Sequence, residues 1–263
     1  MKNKTDILEH NRVSWDKQSV EGSPWCTTVD AKTISKAKRG DWQVILTPLK
    51  PVPKSWFGDI KNKDVLCLAS GGGQQAPIFA AAGAKVVSFD MSKEQLKKDN
   101  LVARQNELEL QTIRGDMADL SVLDNESFNL IFHPVSNVFA PDIKKVWVEC
   151  FRVLRIGGSL LSGLMNPLFF LFDPDDAKES GQLTVKYKLP YSDIEHLDNK
   201  RLQDTINKKI ALEFSHSLTD QIGGQIEAGF VITGFYEDWW DNEATLLNKY
   251  SPTFIATKAL KPV

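Results

Sequence analysis

The chain has 263 residues, 42% of them apolar and 25% charged, which suffices for a sizeable core in one large α/β domain with additions or in two small domains, and excludes global disorder. Its 32 Lys and Arg against 34 Asp and Glu leave a net charge of −2, so bulk attraction to phosphates is absent and no nucleic-acid partner is expected. Cys26, Cys67 and Cys150 are odd in number and far apart, forming neither a disulfide framework nor a CxxC metal site, as suits a reducing cytosol.

The opening MKNKTDILEHNRVSWDKQ is charged throughout and lacks a signal peptide's apolar core. Residues 1–60 read as irregular, carry Trp15, Trp25, Trp42 and Trp56, and end in LTPLKPVPKSWF, a proline-spaced linker by composition. DVLCLAS (64–70) is a short apolar run expected as a buried strand; Gly71-Gly72-Gly73 break it, and QQAPIFAAAG follows as a helix closed by Gly83. AKVVSFD (84–90) is a second strand. Ser92-Lys93-Glu94-Gln95 is a capping box, with Ser92 accepting from the Gln95 amide and the Gln95 side chain reaching back, and opens a helix to about Glu109. QTIRG (111–115) is a weak third strand and FNLIFHP (128–134) a fourth. Ile143, Val146, Trp147, Cys150, Phe151 and Leu154 fall at helical spacing, giving a helix over 141–154. SLLSGLM (159–165) is the fifth strand. Residues 166–212 pass from NPLFFLF through LTVKYKL into a strongly charged stretch and read as an insertion. A helix near 218–228 stops at Gly229, and FVITGFY and FIATKA close the chain as two strands of a hairpin.

Uncharged stretches at 65–84 and 156–172 are broken by glycines, Pro77, Asn166 and Pro167, so neither reads as a membrane span, and a cytoplasmic protein is expected. Strand–helix alternation implies a doubly wound, Rossmann-like α/β sheet of about seven strands, mostly parallel with an antiparallel last strand. Residues 1–60 would cap it, 61–165 and 213–263 form the core, and 166–212 complete the cap.

In such a sheet a ligand binds at the strands' C-terminal ends, where glycines allow close approach and the next helix offers free N–H groups. Asp90 ends the second strand 19 residues after Gly71 (90 − 71) and can accept both hydroxyls of an adenosine ribose. Gly71-x-Gly73-x-x-Ala76 with this acid also satisfies a dinucleotide fingerprint, and a plain strand-to-helix turn is a third reading. None of the four tyrosines precedes a lysine by four residues, which disfavours the short-chain reductases.

Taken together, Val65–Gly73, Ser88-Phe89-Asp90-Met91-Ser92, Arg114-Gly115-Asp116-Met117, the fourth strand ending at His133, Arg152–Gly158 and Glu227-Ala228-Gly229-Phe230 resemble the class I S-adenosylmethionine-dependent methyltransferases. Cys67 stands where that family has an acidic residue and Ala69 where it has its first glycine. The resemblance implies S-adenosylmethionine as cofactor, held by Ala69, Ser70, Gly71, Gly72, Gly73, Gln75 and His133, with Asp90 on the ribose, Met91 and Met117 on the adenine ring and Asp116 on its amino group. It implies a small-molecule acceptor, methylated by in-line displacement. His133 and His216 are the candidate bases, each with a structural role as the alternative. Trp15 and Trp25 either shield the site as a lid or anchor an extra layer on the sheet.

Overall fold

The computed structural model describes residues 4–241 and 243–263. Its helices are α1 Lys4–Glu21, α2 Ala31–Lys38, α3 Gln75–Ala81, α4 Lys93–Gln105, α5 Ile143–Val153, α6 Pro174–Ser180, α7 Asp193–His196, α8 Asn199–Asn207 and α9 Gly224–Glu227, the last continuing a π-helical turn at Thr219–Gly223. The strands are β1 Asp64–Leu68, β2 Lys85–Asp90, β3 Leu110–Arg114, β4 Phe128–His133, β5 Leu154–Met165, β6 Val231–Asp238 and β7 Phe254–Leu260, in the order β3-β2-β1-β4-β5-β7-β6. β1 to β5 pair in parallel, and β7 runs antiparallel to both β5 and β6. The order reverses between β1 and β4, which opens a crevice at their C-terminal ends.

Both sheet faces are covered, and period-two alternation sorts the side chains. Val65, Cys67, Phe132 and Leu161 pack with Phe79 of α3 and Ile34 of α2. Leu66, Leu68, Ile131 and Leu160 pack on the other face against Val146, Trp147 and Cys150 of α5. Trp147, fully buried, satisfies its indole by donating Nε1–H to the Asp220 carbonyl (3.0 Å).

Three local features depart from expectation. Residues 4–21, read as irregular, are an 18-residue helix. Its buried positions are Asn11, Ser14 and Ser19, so it shows no apolar stripe. Asn11 fixes it instead: Nδ2 donates to the carbonyls of Phe139 (3.2 Å) and Leu212 (3.0 Å), and Oδ1 accepts from Leu212 N–H (2.8 Å). The fifth strand starts at Leu154, because Gly157, at φ 77°, lets the chain bulge and stay in the sheet. The supposed linker is packed: Val135 N–H donates to the Leu46 carbonyl (3.1 Å), which lies so close to Gly163 that a Cβ there would sit 2.1 Å from it.

The insertion has its own anchor. Asp173, whose side chain is 1% exposed, accepts from Lys186 Nζ (2.9 Å), Tyr187 OH (2.8 Å) and the Arg201 guanidinium. Burial alone would raise this carboxyl, but these donors hold it well below the usual range.

Candidate functional site

A cavity of about 510 Å³ opens over the C-terminal ends of β1 and β2. Its floor is the turn from β1 into α3. Ala69 holds φ +46°, a left-handed conformation natural to glycine, with its N–H donated to the Phe89 carbonyl (2.8 Å). Gly72 N–H donates to Gln95 Oε1 (2.8 Å), and Gly73 N–H to Asp99 Oδ1 (2.7 Å). Asp99 is buried and also accepts from Ser88 Oγ (2.6 Å). Two of the three glycine amides are therefore spent on α4, and Gly72 is small because a Cβ would meet the Gln95 carbonyl oxygen at 2.1 Å. Ala69, Ser70, Gly71 and Gln75 line the cavity, whereas Gly72 and Gly73 brace the turn from behind. Gln75 also accepts from Ile45 N–H through Oε1 (3.4 Å).

The capping box forms by half. Ser92 Oγ accepts from Gln95 N–H (3.2 Å), but the Gln95 side chain turns to Gly72 and to Cys26 Sγ (2.9 Å). Ser92 N–H donates instead to Asp90 Oδ1 (2.8 Å), which sets the orientation of that carboxyl in the cavity wall. Burial pushes Asp90 up to about 7, and the nearby charge of Asp16 adds to the shift. Asp16 belongs to α1, where it accepts from Ser92 Oγ (2.7 Å) and Arg12 Nη1 (2.6 Å). Met91 and Met117 line the same end. Asp116 does not; its Oδ1 accepts from Ala118 N–H (3.0 Å) in a tight turn.

Both candidate histidines lie outside the cavity lining. His133 is fully buried, and burial lowers its pKa, so its ring is neutral. Nδ1–H donates to the Leu68 carbonyl (2.9 Å), and Nε2 lies against the Asn137 amide. A neutral ring needs an N–H from that amide, and turning it so also gives the unpartnered Asn137 Nδ2 its acceptor. His216 Nε2–H donates to the Asn137 carbonyl (3.2 Å), and burial lowers its pKa too. The two rings therefore clamp the turn Asn137–Phe139, which presents Val138 and Phe139 to the cavity.

The walls and roof come from segments that composition did not resolve. Trp15 meets Phe139 edge-on (4.9 Å), and Trp25 meets Trp240 (6.0 Å); all four line the cavity. Trp42 and Trp56 pack in the opposite-face core. Gln74 Nε2 donates to the carbonyls of Trp25 (3.1 Å) and Thr27 (3.0 Å), fastening the N-terminal segment to the glycine turn. Of NPLFFLF, Phe170 enters a satellite core with Tyr191 and Phe254, and none of it lines the cavity. The extended stretch 211–214 forms another wall, with Ala211 and Glu213 lining the cavity. Asp99, Phe139, Trp240 and Glu213 were given no role in the sequence, and Gln95 was assigned to the capping box rather than to the glycine turn. Only Gln95 and Asp99 carried a signal: polar residues four apart on the apolar face of α4 with Leu96, Val102 and Ala103.

Residues 66–162 match the family described as Methyltransferase domain. The chain is 47% identical over 255 residues to the uncharacterized methyltransferase YbaJ of Bacillus subtilis (strain 168), covering 97% of this chain and 98% of the relative. In fold it is similar to an S-adenosylmethionine-dependent methyltransferase from Mesorhizobium loti (TM-score 0.60, 16% identity, 79% of this chain and 94% of that one). It is also similar to a geranyl diphosphate methyltransferase solved in complex with S-adenosylmethionine (TM-score 0.51, 16% identity, 79% and 82%).

Proposed function

The chain belongs to the class I S-adenosylmethionine-dependent methyltransferases, and from that premise we propose that it methylates a small-molecule acceptor by in-line displacement. The observation carrying this reading is the shape of the cavity. About 510 Å³, bounded by α1, Trp25 and residues 209–213, suits a nucleoside with a small acceptor and lies in the range of small-molecule sites.

The residues fit the cofactor. Asp90 offers the cavity a carboxyl with one oxygen committed to Ser92, leaving the other for the ribose. Met91 and Met117 cover the adenine, and Ala69, Ser70 and Gly71 follow the methionine portion. Asp116, Gly72, Gly73 and His133 act from behind this surface. When bound, the cofactor supplies a methyl group already activated on a sulfonium, so the protein's work is alignment and exclusion of water. Trp15, Trp25 and Phe139 exclude water, and the clamp of His133 and His216 on the Asn137–Phe139 turn fixes the acceptor side of the wall. We assign the histidines positioning roles, because neither ring lines the cavity, both nitrogens of His133 are engaged and His216 donates to the Asn137 carbonyl.

We place the protein in the cytoplasm, a reading supported by three buried free thiols. Among the described residues no helix is long and apolar enough to cross a membrane. The test is incubation with methyl-tritiated S-adenosylmethionine and a panel of thiol, phenol and amine acceptors. Label in a small acceptor with release of S-adenosylhomocysteine supports the proposal; label found only in protein or RNA overturns it.

A further inference from the structure

Of the titratable groups lining the cavity that have no task in the scheme above, Lys17, Glu21, Lys209 and Glu213, only Glu213 is neither paired nor exposed. It lies in the extended stretch 211–214. Its backbone is pinned on both sides: its N–H donates to Asp193 Oδ2 (2.8 Å), and its carbonyl accepts from Asp193 N–H (3.1 Å). The next residue, Phe214, donates N–H to the Val138 carbonyl (2.7 Å), and the preceding Leu212 is held at both ends by Asn11. Extended geometry then sends Leu212 and Phe214 into the protein and Ala211 and Glu213 into the cavity. The backbone is held by hydrogen bonds and the residue lines the cavity.

Among the described residues, no hydrogen bond or ion pair reaches the Glu213 carboxyl. The charged neighbour that raises it, Asp193, is itself engaged, its Oδ1 accepting from Tyr191 OH (2.7 Å). Glu213 is half-buried in the cavity wall, so its carboxyl oxygens are left open to a donor that a ligand brings. The cavity's own cations do not supply one: Lys209 is exposed, and Lys17 faces Glu21 (3.8 Å). The remaining walls carry aromatic faces, Trp15, Phe139 and Trp240 among them. Aromatic faces beside an unpaired carboxylate attract a cation and repel an anion.

We infer that Glu213 recognises the acceptor, that this acceptor is an amine with an apolar or aromatic body, and that Glu213 takes the proton its nitrogen must lose before attack. The inference rests on the methyltransferase reading and deepens it. The ammonium gives one proton to the carboxylate, leaving a neutral amine and a carboxylic acid. The nitrogen lone pair then forms the N–C bond as the C–S bond breaks, its electrons staying on sulfur as a thioether. The product leaves as a methylated ammonium. Burial, with the charge of Asp193, pushes Glu213 up to about 8 in the ligand-free chain, and an ammonium entering the cavity supplies the opposite charge that favours its carboxylate form, so the pair exchanges a proton near neutrality. The two carboxyls divide the work, Asp90 with Asp16 beside it serving the cofactor and Glu213 with Asp193 beside it serving the acceptor.

The test is calorimetric titration of tryptamine and of indole-3-propionate, which differ in having an ammonium or a carboxylate on the same body. Each is titrated into wild type, Glu213→Gln and Glu213→Asp, with and without S-adenosylhomocysteine. Wild type should prefer the amine by about tenfold or more. The preference should collapse in Glu213→Gln and keep its sign in Glu213→Asp, with S-adenosylhomocysteine affinity unchanged within about twofold throughout. Equal binding, preference for the acid, no amine binding into the millimolar range, or a preference that survives in Glu213→Gln overturns the inference. Failure of S-adenosylhomocysteine to bind wild type overturns the methyltransferase reading instead, and the ligand-free titrations still decide the role of Glu213.

Discussion

Replacing Gly72 by alanine puts a methyl carbon 2.1 Å from the Gln95 carbonyl oxygen and 2.6 Å from that residue's carbonyl carbon and Cα. Ordinary contact begins near 3.4 Å, so the turn and α4 must separate by about 1.3 Å (3.4 − 2.1). Helix α4 is anchored to the sheet by buried Leu96, Val102 and Ala103, so the turn is what moves. Overpacking of this kind costs about 1–3 kcal/mol, and loss of the Gly72–Gln95 hydrogen bond adds about 0.5–1.5. A total of about 1.5–4.5 kcal/mol corresponds to a fall in Tm of roughly 3–18 °C for a chain of this size. Because the displaced turn carries Ala69, Ser70 and Gly71, S-adenosylhomocysteine binding should weaken as well. Thermal melting by circular dichroism and calorimetric titration read the two effects. Gly223→Ala is the control of opposite sign: the new carbon's nearest neighbour is Thr219 Cγ2 at 3.7 Å, and a helical glycine-to-alanine change gains up to about 1 kcal/mol. If Gly72→Ala melts and binds like wild type, the close packing of the turn on α4 is refuted.

Asn11→Ala leaves the carbonyls of Phe139 and Leu212 and the Leu212 N–H without partners, at about 1–3 kcal/mol for each group that water does not reach. The N-terminal helix should loosen first, so limited proteolysis should cut within residues 4–21 faster than in wild type. Asp90→Ala removes the acceptor for two ribose hydroxyls; at about 1 kcal/mol for each bond, S-adenosylhomocysteine should bind about thirtyfold more weakly. Calorimetry measures this, and an unchanged Kd would show that the ribose lies elsewhere. Asp90 and Asp99, each pushed up to about 7 chiefly by burial, and Glu213, pushed to about 8, keep protons in the folded chain that the unfolded chain sheds near pH 4. Their contribution to stability is complete below about pH 4 and is lost as pH rises toward about 8, so the ligand-free protein should melt lower near pH 8 than near pH 6. A Tm that rises over that interval contradicts the assigned protonation.

The sheet was legible because its strands are continuous apolar runs such as DVLCLAS and FNLIFHP, which need burial on both faces, and because helix 143–153 shows an unbroken apolar period. Asp90 was legible for a related reason: a carboxylate ending a buried strand, after a glycine turn, has a single place to go. The roof was not. Helix α1 docks through Asn11 and Asp16 rather than through an apolar stripe, and the partners of Asn11 lie 128 and 201 residues away, at Phe139 and Leu212. The glycine turn was located but its economy was not, since neither Gln95 nor Asp99 announces that it will occupy the amides of Gly72 and Gly73. His133 and His216 stood out as titratable groups near a strand end and a helix start. Only the folded chain reveals that both rings serve the turn at Asn137. Glu213 sits in a charged, aperiodic stretch, where one carboxylate looks like any other until the backbone pairing with Asp193 turns it inward.

A crystal structure of the protein soaked with S-adenosylhomocysteine bears most directly on the whole account. It should show the nucleoside across the ends of β1 and β2, with both ribose hydroxyls within about 2.6–3.2 Å of the Asp90 carboxylate. A nucleoside whose sugar is seated away from Asp90, or a cavity that stays empty at saturating ligand, would contradict it.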